Sequence, residues 1–353
     1  MIMSKDNPKA GRKVLVGMSG GVDSSVAALL LQQQGYEVIG ATMDTAYGNA
    51  PEQAREVCRD LGLSHYVIDV RQAFRRDVIE RFLHAYLHAE TPNPCVECNR
   101  NIKFSLFLPL MEELGVDYFS TGHYIRCEQK NGRYLLRCAV DEQKDQSYFL
   151  YALQQNILSR CLFPLGGMTK TEVRELAAEF GLSSAGQKDS YDICFIPGGD
   201  YRELLQKEAP GQLQPGDILD LDGNCLGQHN GLANYTLGQR RGLEIALGTP
   251  AYVLDFDLER NALLVGPKTA LMRQRVRVCR NNFLAFARLD KPLRVWVKIR
   301  YRALSQPATL LPLPAADELE ICFDEAQWGV TPGQSAVYYD GEYLLGGGTI
   351  CRD

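Results

Sequence analysis

The 353-residue chain carries 45% hydrophobic and 23% charged residues and a formal net charge of −5, the balance of an ordinary globular protein rather than a disordered or strongly basic one. Its length allows two or three domains with cores of their own. No apolar run nears membrane-spanning length and residues 1–12 lack the apolar stretch of a signal peptide, so a cytoplasmic protein without a membrane partner is expected. Eleven cysteines, an odd number scattered along a long chain, argue against a secreted disulfide framework and leave thiols for chemistry.

The first informative stretch is Lys13-Val-Leu-Val-Gly17-Met18-Ser19-Gly20-Gly21-Val22-Asp23-Ser24-Ser25. Residues 14–18 read as a buried strand that breaks at two glycines into an apolar helical run at 26–31, closed by Gly35. Glycines between a strand and a helix let backbone amides approach an anion, and the helix N-terminus adds partial positive charge. With hydroxyls on Ser19, Ser24 and Ser25 the stretch reads as a phosphate cradle, although no Gly-Lys-Ser/Thr follows as in a Walker A loop. A tight turn with serine caps is the plainer alternative. Asp23 is the nearest carboxylate, suited either to a magnesium ion or to capping the helix.

Further strands are expected at 37–42, 65–69 and 116–121, with helices from Pro51 to Gly62, at 74–89 and at 102–114. This alternation predicts an α/β fold with a doubly wound parallel sheet and ligands at the carboxyl ends of its strands. Three positions follow: the Gly20 loop, Met43-Asp44, and Thr121-Gly122-His123-Tyr124. Between two of the helices lies Thr91-Pro-Asn93-Pro94-Cys95-Val-Glu-Cys98-Asn-Arg-Asn-Ile-Lys103-Phe104. Its prolines predict a stiff loop rather than a helix, placing Cys98 near the N-terminus of the next helix, where the dipole would lower its thiol pKa. A Cys-x-x-Cys pair also suits half of a zinc site or a redox pair, but the chain has no second one.

A hairpin turns at Asn131-Gly132, and Lys144-Asp145-Gln146-Ser-Tyr-Phe-Leu150 reads as a charged helix start. Thr169-x-x-Glu172 is a capping box opening a helix that Gly181 stops. The loop 185–197 presents Cys194, and a lone cysteine before an apolar residue is more often packing than catalysis. Past residue 210 helical periodicity gives way to short strands around an Asp222-Gly223 turn. From Lys268 to Arg302 eleven Lys/Arg stand against one acid, Asp290. Alternation in Arg294-Val-Trp296-Val-Lys298-Ile-Arg300-Tyr301-Arg302 puts the basic groups and Trp296 on one strand face and Val295, Val297 and Ile299 on the other. That excess favours a polyanionic partner. Glycine-rich turns at Asp340-Gly341 and Gly346-Gly-Gly348 finish a barrel-like unit. The expected division is 1–200 for the α/β domain, then two small β-rich domains at 201–268 and 269–353.

Ser-Gly-Gly-Val-Asp-Ser-Ser resembles the pyrophosphate loop of ATP pyrophosphatases. Six further pieces, in order, resemble the tRNA-specific 2-thiouridylase family: Asn93-Pro-x-x-x-Cys98-Asn with Ile102-Lys-Phe104; Thr121-Gly-His-Tyr124; residues 144–150; Asp192-Ile-Cys194-Phe-Ile196; residues 230–243; and Arg300-Tyr301 with Thr331-Pro-Gly-Gln334. One departure is Cys95, where many members carry Asp. The resemblance implies that ATP, with Mg²⁺, adenylates the wobble-uridine 2-oxygen of tRNA, bound by Gly17, Met18, Ser19, Gly20, Gly21, Val22, Asp23, Ser24, Met43 and Gly122. It implies that Cys194 receives sulfur as a persulfide from a cysteine desulfurase or sulfur-relay protein, and that Cys98 completes the transfer, leaving a Cys98–Cys194 disulfide. Asn93, Pro94 and Cys95 would lie beside the base, with His123, Lys144, Asp145, Gln146, Arg300, Tyr301 and Gln334 on the tRNA; a monomer is expected. An iron–sulfur cluster on Cys95, Cys98 and Cys194 is the rival to the persulfide, which is preferred because Asp-bearing relatives need no third thiol. Another adenylating enzyme, such as an amide-forming ligase, or a non-catalytic ATP-sensing RNA-binding protein, are the alternatives.

Overall fold

The computed structural model describes residues 11–187, 193–196, 198–245, 248–315 and 317–352; Asp192 of the Cys194 motif lies outside them. The chain opens with Lys13–Gly17 (β1), Glu37–Asp44 (β2), Ser64–Asp69 (β3) and Tyr118–Thr121 (β4), followed by a hairpin of Arg126–Lys130 (β5) and Arg133–Arg137 (β6) and the short Cys161–Leu162 (β7). Five of these form a parallel sheet in the order β3-β2-β1-β4-β7. Val14, Leu15 and Val16 are wholly buried, as a central parallel strand covered on both faces requires. The chain winds outward from β1 to β3 and returns to β4, so the order reverses between β1 and β4. Their carboxyl ends lie side by side there, with Gly17 paired to Thr121.

The helices Val22–Gln33, Ala50–Asp60 and Lys170–Glu179 match expectation, and the last carries the full Thr169/Glu172 capping box. Other segments differ in ways that have physical causes. Pro94 does not forbid a helix but opens one, Pro94–Cys98, at the position where proline's missing N–H is not needed. That helix runs into a wider π turn, Asn99–Lys103, before the helix Phe107–Glu113, so the expected 102–114 helix is two pieces. A second π segment, Arg75–Glu80, interrupts the 74–89 region. The 144–150 stretch is a turn ending in the 3₁₀ segment Ser147–Phe149 rather than a helix start. A helix not read from the sequence, Tyr201–Glu208, is capped by the Asp200 carboxylate, which accepts the Arg202 N–H at 3.0 Å.

Gly216–Leu219 (β8), Cys225–His229 (β9), Tyr252–Asp257 (β10) and Ala262–Gly266 (β11) form a separate sheet in the order β10-β11-β8-β9. The remaining strands are Arg273–Phe283 (β12), Leu293–Lys298 (β13), Gln306–Pro312 (β14), Leu319–Gln327 (β15), Ser335–Asp340 (β16) and Tyr343–Ile350 (β17). They run β12-β15-β14-β13-β16-β17, and β12 pairs again with β17, closing a six-stranded barrel. The other end of β17 pairs with β6, Tyr343 with Arg137 and Leu344 with Leu136, so the hairpin β5–β6 continues the barrel's sheet.

Closure draws on the glycines of β17. A Cβ on Gly348 would lie 2.4 Å from Asn281 Oδ1 and 2.6 Å from Val278 Cγ1. Gly348→Val should therefore cost at least the ~1–3 kcal/mol typical of overpacking. A thermal melt should show a clear loss of stability, and an unchanged melting temperature would refute this account of the closure.

Candidate functional site

The loop after β1 is shaped by Gly20, whose φ is +81°. A Cβ there would sit 2.4 Å from Gln53 Cβ and 2.9 Å from the Ala54 backbone nitrogen, so the start of the helix Ala50–Asp60 admits only glycine. Gly21 is extended and caps Val22–Gln33 without a side-chain hydrogen bond; a Cβ there would meet only Ser19 Oγ, at 3.5 Å. The serines face inward more than the sequence suggests. Ser24 Oγ and Ser25 Oγ both donate to the Gly21 carbonyl, at 3.0 and 2.9 Å, and the Ser19 N–H donates to Ser24 Oγ at 3.2 Å. They stiffen the loop, which leaves its glycine backbone and the helix start to face an anion.

Asp23 neither caps the helix nor stands alone. Its Oδ1 accepts from Lys170 Nζ at 2.6 Å and from the Tyr124 hydroxyl at 2.7 Å. Among the described residues no group of three His, Cys, Asp or Glu side chains converges as a metal cage. With Asp23 held by an ammonium, a magnesium ion at this loop would be carried chiefly by the nucleotide phosphates rather than by a cage of side chains. Gly122, after β4, touches this loop directly: a Cβ on it would lie 2.7 Å from both Asp23 C and Ser24 N.

The residue after Gly122 leads to the thiols. His123 is 9% exposed, and its Nδ1 shares a 2.7 Å hydrogen bond with Thr121 Oγ1. Burial, together with the Lys103 ammonium, pushes its pKa well below the ordinary range, so the ring is neutral. Phe104 packs 6.0 Å from it, centroid to centroid. Lys103 acts electrostatically on Cys95, Cys98 and Cys194 as well, and Cys194 feels both Cys98 and Cys95. Cysteines 96 positions apart in the sequence thus share one site, Cys98 on the Pro94–Cys98 helix and Cys194 on its loop. Phe195 fixes the Cys194 loop from below: it is 2% exposed and packs against Phe82 at 5.3 Å and Phe74 at 5.8 Å, while Cys194 itself is exposed.

The expected lowering of the Cys98 pKa does not occur. Cys98 is the last residue of its helix rather than the first of the next, so no N-terminal dipole acts on it, and burial pushes its thiol up. Burial raises Cys95 too, and pushes Cys194 up to about 11 although both side chains reach the surface. The surrounding wall displaces more water than the Lys103 charge compensates.

Of the expected RNA contacts, Asp145 is turned inward, accepting the Ala139 N–H at 2.8 Å and the Ser147 hydroxyl at 2.5 Å. The Gln146 side chain accepts the Tyr124 N–H at 2.9 Å. Gln334 donates to the carbonyls of Thr91 and Pro92 at 2.9 and 3.2 Å, tying the barrel to the segment before the cysteines. Tyr301 packs on Phe149 with ring centroids 4.5 Å apart. Arg300 and Lys268 lie over the Trp328 ring at 5.0 and 4.9 Å, and Lys298 over Tyr339 at 5.5 Å. The alternation on β13 holds, with Val295 and Val297 buried and Trp296 49% exposed.

The uniform basic face does not hold. Arg275 pairs with Glu320 at 2.6 Å, Arg277 with Glu318 and Arg294 with Asp324, so acids from β15 or its approach interleave with the arginines. Sequence reasoning also missed Glu97, which gathers Arg81 at 3.6 Å, Arg100 at 3.8 Å and Arg280 at 3.6 Å behind the cysteine helix. Glu97, Arg81 and Arg280 line a cavity of about 700 Å³ together with Asn93 and Pro94, but none of Cys95, Cys98 and Cys194 does. Lys103 is a further residue that sequence reasoning misses, its five-residue spacing from Cys98 being the signal available.

A nucleotide-type loop at the switch point of a parallel sheet, beside converging thiols and joined to a β-barrel, defines a multidomain α/β enzyme. Models described as tRNA methyl transferase HUP domain, tRNA methyl transferase PRC-barrel domain and Aminomethyltransferase beta-barrel domain match residues 12–198, 202–267 and 273–350. A Roseiflexus castenholzii protein named tRNA-specific 2-thiouridylase MnmA is 46% identical over 370 residues, covering 97% of this chain and all of that one. A Moorella thermoacetica protein of the same name is 46% identical, with 95% of this chain and 98% of that one covered. The chain belongs to the tRNA-specific 2-thiouridylase family. Among solved structures it is similar to a 4-thiouridine synthetase–RNA complex with bound ATP, at 21% identity and a TM-score of 0.40, over 57% of this chain and 51% of that one.

With the Cys194 thiol near 11, the thiolate fraction at pH 7–9 is small and rises about tenfold per pH unit until the pH passes the pKa. Iodoacetamide labelling of Cys194, followed by peptide mass spectrometry, should still be accelerating at pH 10. A rate that levels off below pH 8.5 would contradict the burial argument.

Proposed function

We propose that this chain is a tRNA 2-thiouridylase, an AMP- and pyrophosphate-forming sulfurtransferase, and that its three parts divide as 1–200 for catalysis, 201–268 as a central β-rich domain and 269–353 for holding tRNA. The observation that supports this most directly is the contact of Gly122 with the Asp23–Ser24 backbone, one residue from His123 and hence from Lys103 and the thiols. A nucleotide on the loop and sulfur on Cys194 would then meet at one base. The naming of the full-length relatives for 2-thiouridylation supports the same reading.

ATP at the glycine loop adenylates the uridine 2-oxygen, with the loop backbone and helix start stabilising the departing pyrophosphate. Gly17, Met18, Ser19, Gly20, Gly21, Val22, Ser24, Met43 and Gly122 surround it in this reading, while Asp23 fixes Lys170 and Tyr124. The terminal sulfur of a Cys194 persulfide attacks C2, forming a carbon–sulfur bond as the carbon–oxygen bond breaks and AMP leaves with the electron pair. The Cys98 thiolate then attacks Cys194 Sγ. The sulfur–sulfur bond to the transferred atom breaks, that atom stays on the base with its electron pair, and Cys98 and Cys194 end as a disulfide. A thiol reductant returns two electrons before the next turnover. In this reading the sulfur travels as a persulfide, and no step is routed through an iron–sulfur cluster.

Asn93, Pro94 and Cys95 lie beside the extruded base, and a base in a single-stranded loop costs little to unstack. His123, Lys144, Gln146, Arg300, Tyr301 and Gln334 follow as the groups nearest the tRNA, with Asp145 supporting them from inside. A cysteine desulfurase or a sulfur-relay protein supplies the sulfur; the protein acts as a monomer in the cytoplasm, and no described helix is long and apolar enough to cross a membrane.

The test is nucleoside mass spectrometry of tRNA from a strain lacking the gene, complemented with variants. Wild type should restore 2-thiouridine. Gly21→Val should not, although a Cβ has room there in the free protein, because the bulk meets the phosphates; wild-type thiolation by that variant would refute the loop assignment.

Cys95→Ala should keep at least roughly a third of the wild-type thiolation rate in vitro, while Cys98→Ala and Cys194→Ala fall below detection. Stoichiometric iron in anaerobically purified wild type, lost together with activity in Cys95→Ala, would overturn the persulfide reading.

A further inference from the structure

We propose that Lys103 supplies the fixed positive charge that holds sulfur in its anionic form as it passes from Cys194 to the base and on to closure with Cys98. This rests on the sulfur-transfer reading above and deepens it by naming a residue that positions charge at the reacting sulfurs.

The backbone explains why this lysine, five residues past Cys98, points at it. In a regular α-helix a residue five positions on lies about 140° around the axis, on another face. Asn99–Lys103 is instead a π turn, in which bonding runs from residue i+5 to residue i and brings such a pair onto one side. The turn thereby sets the Lys103 backbone N–H beside the Cys98 side chain, where it favours the thiolate. One ammonium then serves Cys95, Cys98, Cys194 and the buried face of His123.

The neighbouring charges make Lys103 distinct. Arg81, Arg100 and Arg280 are all drawn to Glu97. Lys103 has no carboxylate partner within 4.0 Å among the described residues, and His123 is neutral beside it. A cation set in a wall that otherwise favours neutral thiols lacks a counterion until sulfur becomes negative. Both attacks of the transfer use anionic sulfur: the persulfide terminus on C2, then the Cys98 thiolate on Cys194 Sγ. Lys103 keeps its proton through both, and no bond to it forms or breaks.

The test compares wild type, Lys103→Met and Lys103→Arg by the iodoacetamide rate at Cys194 and Cys98, resolved by peptide mass spectrometry at fixed pH, and by thiolation of tRNA. A neighbouring opposite charge typically shifts a thiol by about one pKa unit or more, so Lys103→Met should alkylate about tenfold more slowly at both cysteines. Thiolation should fall at least as far, and Lys103→Arg should restore most of both. Equal alkylation rates in wild type and Lys103→Met overturn the proposal whatever the thiolation result. So does a loss in Lys103→Met that Lys103→Arg does not relieve, since that marks a packing role. Wild type that alkylates normally yet never thiolates tRNA would instead sink the sulfur-transfer reading, leaving the charge comparison to be read separately.

Discussion

Two backbones touch where the parallel sheet reverses, and the site depends on that contact. Because Gly122 has no side chain, the end of β4 rests directly against the first turn of Val22–Gln33. Any larger residue would separate a loop shaped for an anion from the His123–Lys103–cysteine cluster. The sheet order makes the meeting geometrically available, since only at the reversal between β1 and β4 do two carboxyl ends diverge with space above them. The serines and the Asp23–Lys170 pair are best understood as supports of this contact. They spend their hydrogen bonds on keeping the loop in place rather than on a ligand.

Much of this was legible in the sequence because it rests on local signals. Apolar β-branched runs, punctuating glycines and a capping box read correctly at β1, β2, Ala50–Asp60 and Lys170–Glu179. The failures share one cause: they depend on neighbours distant in sequence. Counting charges from 268 to 302 could not see Glu318, Glu320 and Asp324, which fold back among those arginines. The Cys98 error was subtler. Proline was read as a breaker when it was an opener, which moved a helix boundary by one turn and reversed the sign of a pKa shift.

The charge layout separates two tasks around one short helix. Behind Pro94–Cys98, Glu97 gathers three arginines from three segments, fixing the helix to its neighbours. In front of it a lone lysine faces sulfur. Glu97 and Cys98, neighbours on one helix, thus meet quite different electrostatic surroundings.

The double pairing of β17 has a consequence for how the chain is made. Its first residues hold the hairpin β5–β6 and its last residues close the barrel, so strands more than two hundred positions apart become neighbours: Leu136 pairs with Leu344. A ribosome releases β6 long before β17 exists. For that interval β6 has an unpaired edge, of the kind that recruits strands from other molecules. The nascent protein must therefore keep a finished-looking amino-terminal half from aggregating while it waits for β17, which makes that strand the step that commits the barrel and the hairpin to one fold.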